Sequence, residues 1–75
     1  MVSTPIELDL RGVPCPLSWA RARVRLDEMS AGQSLILLLD EPRSLRDIPQ
    51  AAEAAGYAAN EATPAEGYWT LVIDA

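Results

Sequence analysis

Ile6, Leu8 and Leu10 alternate with Glu7 and Asp9, the period of a strand buried on one face, and Arg11-Gly12 ends the alternation. Past Pro16 the period changes. Trp19, Ala22, Leu26 and Met29 recur at helical spacing as one apolar face, with Arg21, Arg25 and Glu28 directed away from it. Pro16 suits the first turn of that helix, where its missing N–H costs nothing, and Gly32 reads as the stop. Leu35 to Leu39 is a continuous apolar run, too short for a helix and suited to a central strand. Asp40 to Arg43 reads as a turn. Ser44 is then expected to cap a second helix, with Asp47 as the acid three residues on and Ile48, Ala51, Ala52 and Ala55 facing inward up to Gly56. Pro49 fits that helix only near its first turn, which leaves the helix start poorly determined. Tyr57 to Thr63 and Tyr68 to Asp74 read as two further strands joined through Pro64 to Gly67, with Trp69, Leu71 and Ile73 on the inner face.

The order is βαβαββ. It predicts an α+β fold, a two-layer sandwich in which two helices cover one face of a four-stranded mixed sheet, as one domain spanning residues 1–75. Because the run at Leu35 to Leu39 is apolar on both sides, the face without helices needs cover. Neighbouring side chains rather than a second copy are expected to supply it, so the free protein is expected to be a monomer.

Composition narrows the chemistry. At 49% hydrophobic and 23% charged the chain is an ordinary globular sequence, and no apolar stretch approaches the ~20 residues of a membrane span. A formal charge of −5 weighs against direct nucleic-acid binding. Every positive charge is an arginine. With no histidine and one cysteine the sequence has no ligand set for zinc and no base for a serine or cysteine hydrolase, and no metal or other cofactor is expected. An internal disulfide is impossible, and Met1 to Pro5 shows neither the basic nor the apolar region of a secretory leader; a reducing cytoplasm is the expected location.

That single cysteine, Cys15, sits between the first strand and the first helix. A free thiol has a pKa of about 8.5, and the amides and dipole at a helix start favour its thiolate. Position alone leaves two readings open: a reactive sulfur, or a small buried apolar residue, which most free cysteines are.

Leu8-Asp9-Leu10-Arg11-Gly12-Val13-Pro14-Cys15-Pro16 resembles the opening of the TusA/SirA-like sulfur-carrier family, which has a strand, an Arg-Gly pair and a Cys-Pro-x-Pro motif at a helix start. Gly32-Gln33-Ser34-Leu35, Asp40-Glu41-Pro42 and Arg46-Asp47-Ile48-Pro49 match the same family in order and spacing. The resemblance implies the two-layer fold reached above from periodicity. It also implies that Cys15 receives sulfane sulfur as a persulfide from a protein donor, a cysteine desulfurase or a rhodanese-type enzyme, and passes it to a protein acceptor. The end uses it implies are ones such as tRNA thiolation or sulfur oxidation. Where the family carries its second proline this chain has Ser18, an exchange that bears on rigidity around the thiol and on partner recognition.

Around Cys15 as the catalytic residue, Arg11, Gly12, Pro16, Ser18, Arg46 and Asp47 are the expected supporting residues. Arg11 can either approach the sulfur or serve as a solvated turn residue. Arg46 and Asp47 can either border the cysteine or form a surface ion pair. Leu17, Ala20, Arg21 and Val24 make a second, lesser stripe on the first helix beginning beside Cys15, the expected partner-docking surface. Trp19 and Trp69 are expected to anchor the core. Two other readings use the same fold: a non-catalytic interaction module with an inert Cys15, and a redox sensor forming an intermolecular disulfide.

Overall fold

A computed structural model describes residues 5–75. The elements run β1 (Ile6–Asp9), α1 (Leu17–Glu28), β2 (Ser34–Leu39), α2 (Pro42–Ala54), β3 (Ala58–Ala59), β4 (Thr63–Pro64) and β5 (Trp69–Asp74). β1 pairs in parallel with β2, and β2 pairs antiparallel with β5. β3 and β4 both pair antiparallel with β5 on its other side, so the sheet is mixed.

The expected third strand is therefore two short ones, and among the described residues the sheet has five strands rather than four. The cause lies in the register. Ala59 faces Ile73 and Thr63 faces Thr70, so four steps of chain oppose three on β5. One extra residue interrupts the ladder as a bulge, which also turns the following side chains to the other face. Asn60 holds the break: its backbone N–H donates to Val72 O at 2.9 Å and its side-chain Nδ2 to the same oxygen at 3.2 Å. Pro64, which has no N–H to give a ladder, is tolerated because β4 is an edge.

The strands supply one core face in strict alternation. Leu35, Leu37 and Leu39 of β2 and Leu71 and Ile73 of β5 are fully buried with Leu10, which donates from its N–H to Leu38 O just beyond β1. Ala22 and Leu26 of α1 and Ile48 and Ala52 of α2 close over them in the same cluster, so both helices lie on this face. Burial of each such leucine contributes roughly 1.5–3 kcal/mol. Trp19 and Met29 pack half-buried against the cluster as their spacing predicts. Trp69 shares the core-facing register but is only half-buried, at the end of the sheet opposite Leu39. On the other sheet face Leu38 is 7% exposed within the single chain. It lies between Asp9 of β1 and Thr70 of β5, whereas Ile36 on the same face is only half-buried.

Three helix boundaries differ from the pattern-based expectation. α1 begins at Leu17, with Pro16 as its N-cap, and ends at Glu28, before Gly32 is reached. α2 begins at Pro42 and not at Ser44: Glu41 is the N-cap, and its side chain accepts from the Arg43 N–H at 3.1 Å. Proline at the first helical position supplies a preset φ and lacks only an N–H that would have had no partner. Pro49 consequently lies inside the helix, which continues through it to Ala54. The end of α2 follows its expected chemistry. Gly56 has φ +93, its N–H bonds Glu53 O, and the Tyr57 N–H bonds Ala52 O, the pair of reversed bonds that closes a helix on glycine. Among the described residues no helix is long and apolar enough to cross a membrane.

Candidate functional site

Parallel pairing of β1 and β2 brings the starts of both helices to one end of the sheet, and antiparallel β5 brings Tyr68 and Trp69 to the same end. The segment from Leu10 to Pro16 crosses this end and carries Cys15. Its path is fixed by backbone bonds. The Val13 N–H donates to Leu10 O at 3.1 Å, and the Gly12 N–H donates to Asp40 Oδ1 at 2.9 Å. Gly12 sits at φ +80, a conformation that a side chain strains, which accounts for glycine after Arg11. At the far end the Cys15–Pro16 peptide bond is cis. The Ser18 N–H donates to Pro14 O at 3.0 Å and the Ala20 N–H to Pro16 O at 3.1 Å, which ties the segment into α1.

Cys15 is a free thiol, partly buried. Its Sγ lies 3.9 Å from Asp47 Oδ2, where it donates to the carboxylate. The other oxygen, Oδ1, accepts from Arg46 Nε at 3.0 Å. The surface ion pair is present, and of the two residues Asp47 is the one whose carboxylate contacts the sulfur. The Arg46 guanidinium is held above its usual pKa, first by the hydrogen bond to Asp47, then by that carboxylate's charge, with a smaller contribution from Cys15.

Ser18 lies in the first turn of α1 and is part of the core. It is fully buried, and its Oγ lies 2.8 Å from the equally buried Oγ of Ser44 on α2. One hydroxyl donates and the other accepts, so neither buried oxygen is left without a partner. Ser44, expected as a helix cap, is instead the contact between α2 and the start of α1, since the cap falls at Glu41. Spacing held the signal for both. Ser18-Ala22-Leu26 and Ser44-Ile48-Ala52 are matching i, i+4, i+8 sets, and every member is buried.

Arg11 takes partners other than the sulfur. It gives two side-chain bonds to Asp9, Nε to Oδ1 at 2.9 Å and Nη2 to Oδ2 at 2.8 Å, and its backbone N–H also bonds Asp9 Oδ1. The guanidinium lies 4.9 Å from the centre of the Tyr68 ring. These bonds from Arg11, side chain first, lower the Asp9 carboxyl to a pKa of about 2. Asp9, Asp40 and Tyr68 are contributions the sequence did not single out. Asp9 and Asp40 lie in stretches that resemble the family, but the sequence assigned neither a role at this end; Asp40 follows β2 directly, where Gly12 turns.

Among the described residues Leu17 and Val24 are the large apolar side chains most exposed to solvent, at 46% and 59%. They lie on the outer side of α1 with exposed Ala20 and Arg21. Ala20, Arg21 and Val24, with Leu8, Arg25 and Glu28, line an open groove of about 410 Å³ between α1 and the free edge of β1. Leu17 lies outside that lining.

Comparison with known proteins agrees with this architecture. A family model described as Sulfurtransferase TusA matches residues 6–75. A protein described as "Putative sulfur carrier protein" from Archaeoglobus fulgidus is 34% identical over 50 residues, which cover 67% of this chain and 57% of that protein. The chain thus spans little more than half of that relative. "Sulfur carrier protein TusA" from Allochromatium vinosum is 34% identical over 67 residues, 89% of this chain and 88% of its own. The crystal structure of a SirA-like protein from Desulfitobacterium hafniense superposes with a TM-score of 0.82 at 28% identity, over 93% of this chain and 96% of that one. The chain belongs to the TusA family.

Proposed function

We propose that this protein is a sulfur carrier in which Cys15 accepts sulfane sulfur as a persulfide and hands it to a partner protein. The observation that carries the reading is the placement of Cys15, partly exposed at the start of α1 and touching Asp47, in a chain of the TusA family. The reaction asks little of the carrier. The Cys15 thiolate attacks the terminal sulfur of a donor persulfide; a new S–S bond forms on Cys15 as the donor S–S bond breaks, and the electron pair leaves on the donor's cysteine sulfur. No net oxidant is consumed, because the transferred sulfur is already oxidised relative to sulfide. Discharge repeats the exchange with an acceptor thiol or another nucleophile. A chain with one cysteine cannot resolve its own persulfide, so release falls to the partner.

The donor in this reading is a protein persulfide, of the cysteine desulfurase or rhodanese type, and the location is the cytoplasm. Docking uses Leu17, Ala20, Arg21 and Val24, an apolar stripe with a cationic flank running away from Cys15 along α1. Such a surface suits an acidic partner with a small apolar contact. Gly12, Pro16 and Ser18 act by holding the cysteine segment in place, and Arg46 by engaging Asp47.

The reading is tested by incubating the protein with a cysteine desulfurase and cysteine carrying radiolabelled sulfur. Label is expected on the wild-type chain, released by dithiothreitol, and absent from Cys15→Ser. Equal labelling of Cys15→Ser would overturn it.

A further inference from the structure

The structure assigns Ser18 and Ser44 a positioning role: their buried hydroxyl pair sets the start of α1 against α2 so that the Asp47 carboxylate meets the Cys15 thiol. Ser18 lies three residues after Cys15, and Ser44 lies three residues, close to one helical turn, before Asp47. The 2.8 Å bond between the two hydroxyls therefore lies within one helical turn along the chain of the 3.9 Å contact between sulfur and carboxylate. Both pairs cross between the same two segments of chain. Ser18 also anchors its own side of this arrangement, since its N–H bonds Pro14 O on the far side of the cysteine.

The pair has little room to relax. Both serines are fully buried, and among the described residues no buried side-chain polar atom is left without a partner. Sliding α2 along α1 would strand two hydroxyls away from water, whereas alanine at both sites would impose no such penalty. Polar pairing fixes register where apolar contact alone permits small slips. Where the family carries its second proline, which would stiffen the first turn of α1 through the backbone, this chain has a side-chain bond to the neighbouring helix.

The inference rests on reading Cys15 as the working sulfur, but its test needs no sulfur donor. The rate of iodoacetamide alkylation of Cys15 is measured across neutral pH in four proteins: wild type, Asp47→Asn, Ser18→Ala/Ser44→Ala, and the triple variant. Asp47→Asn is expected to change the rate about twofold or more in the wild type, the lower end of coupling between groups in contact. In the double-serine background the same substitution is expected to have little effect, because the carboxylate is no longer held at the thiol. A purely structural role would move thermal stability and leave the Asp47→Asn effect intact. An equal effect in both backgrounds, or none in the wild type, overturns the inference. Should the double variant fail to fold, Ser44→Ala alone serves as the background. A protein that shows this coupling and never gains sulfur would sink the carrier reading and leave the positioning role standing.

Discussion

Cys15 and Asp47, 32 residues apart in sequence, meet with the thiol sulfur 3.9 Å from a carboxylate oxygen whose partner oxygen is held by Arg46. The carboxylate accepts a hydrogen bond from the thiol and places a negative charge beside the sulfur. Asp47→Asn removes that charge and releases Arg46 towards the sulfur, and both changes act in one direction. Alkylation of Cys15 at neutral pH is expected to quicken about twofold to fivefold, the rate equivalent of the ~0.5–1 kcal/mol that partly screened charge pairs contribute. A slower reaction would show that Asp47 assists the thiol and does not restrain it.

The Asp9–Arg11 pair makes a pH-dependent contribution whose sign follows from its geometry. The folded Asp9 carboxyl, held by Arg11, titrates at about 2, below the ordinary 3.8. A carboxylate lowered in the fold adds stability that is complete above its unfolded value and is lost as pH falls through the folded one. Carboxyl chemical shifts followed by NMR are expected to place the Asp9 midpoint near 2. Arg11→Ala is expected to return it towards 3.8, and an unchanged midpoint would mean that the bidentate bond does not persist in solution.

Docking along α1 separates from folding because the stripe is exposed. Val24→Glu and Arg21→Glu change no buried contact, so thermal unfolding is expected to shift by no more than ~0.5 kcal/mol. Iodoacetamide should still modify Cys15 at the normal rate. Sulfur transfer from a protein donor is expected to fall severalfold in both variants, while loading from a small inorganic polysulfide should persist. Loss of both kinds of loading would point to damage at the thiol and not at the stripe.

Gly12 tests how the cysteine segment is held. It sits at φ +80 with open space where a Cβ would go, so Gly12→Ala meets backbone strain without a clash. The expected cost is about 1–2 kcal/mol, measured by chemical denaturation, together with weakening of the bond from the Gly12 N–H to Asp40. A neutral substitution would mean that the turn relaxes freely into another shape.

The fold was legible where one physical signal dominated. Alternation at Ile6 to Leu10, helical spacing from Trp19 to Met29 and the apolar run at Leu35 to Leu39 each define an element that packing then completes. The misplacements came where two signals competed. Ser44 has good capping chemistry, but Glu41 with Pro42 supplies a better start three residues earlier, and this frees Ser44 to face α1. The bulge between β3 and β4 depends on register against β5, a relation between distant segments with no local mark. The same holds at the site. Cys15 stands out in the sequence as a lone thiol beside a proline, whereas its contact with Asp47 and the bond between the two serines arise only when α2 is laid beside α1.

The most direct measurement is the mass of the peptide containing Cys15 after the intact protein has been incubated with a cysteine desulfurase and cysteine. A gain of one sulfur atom on that peptide, reversed by dithiothreitol, is the predicted result. A peptide that alkylates readily yet never carries the added sulfur would contradict the account.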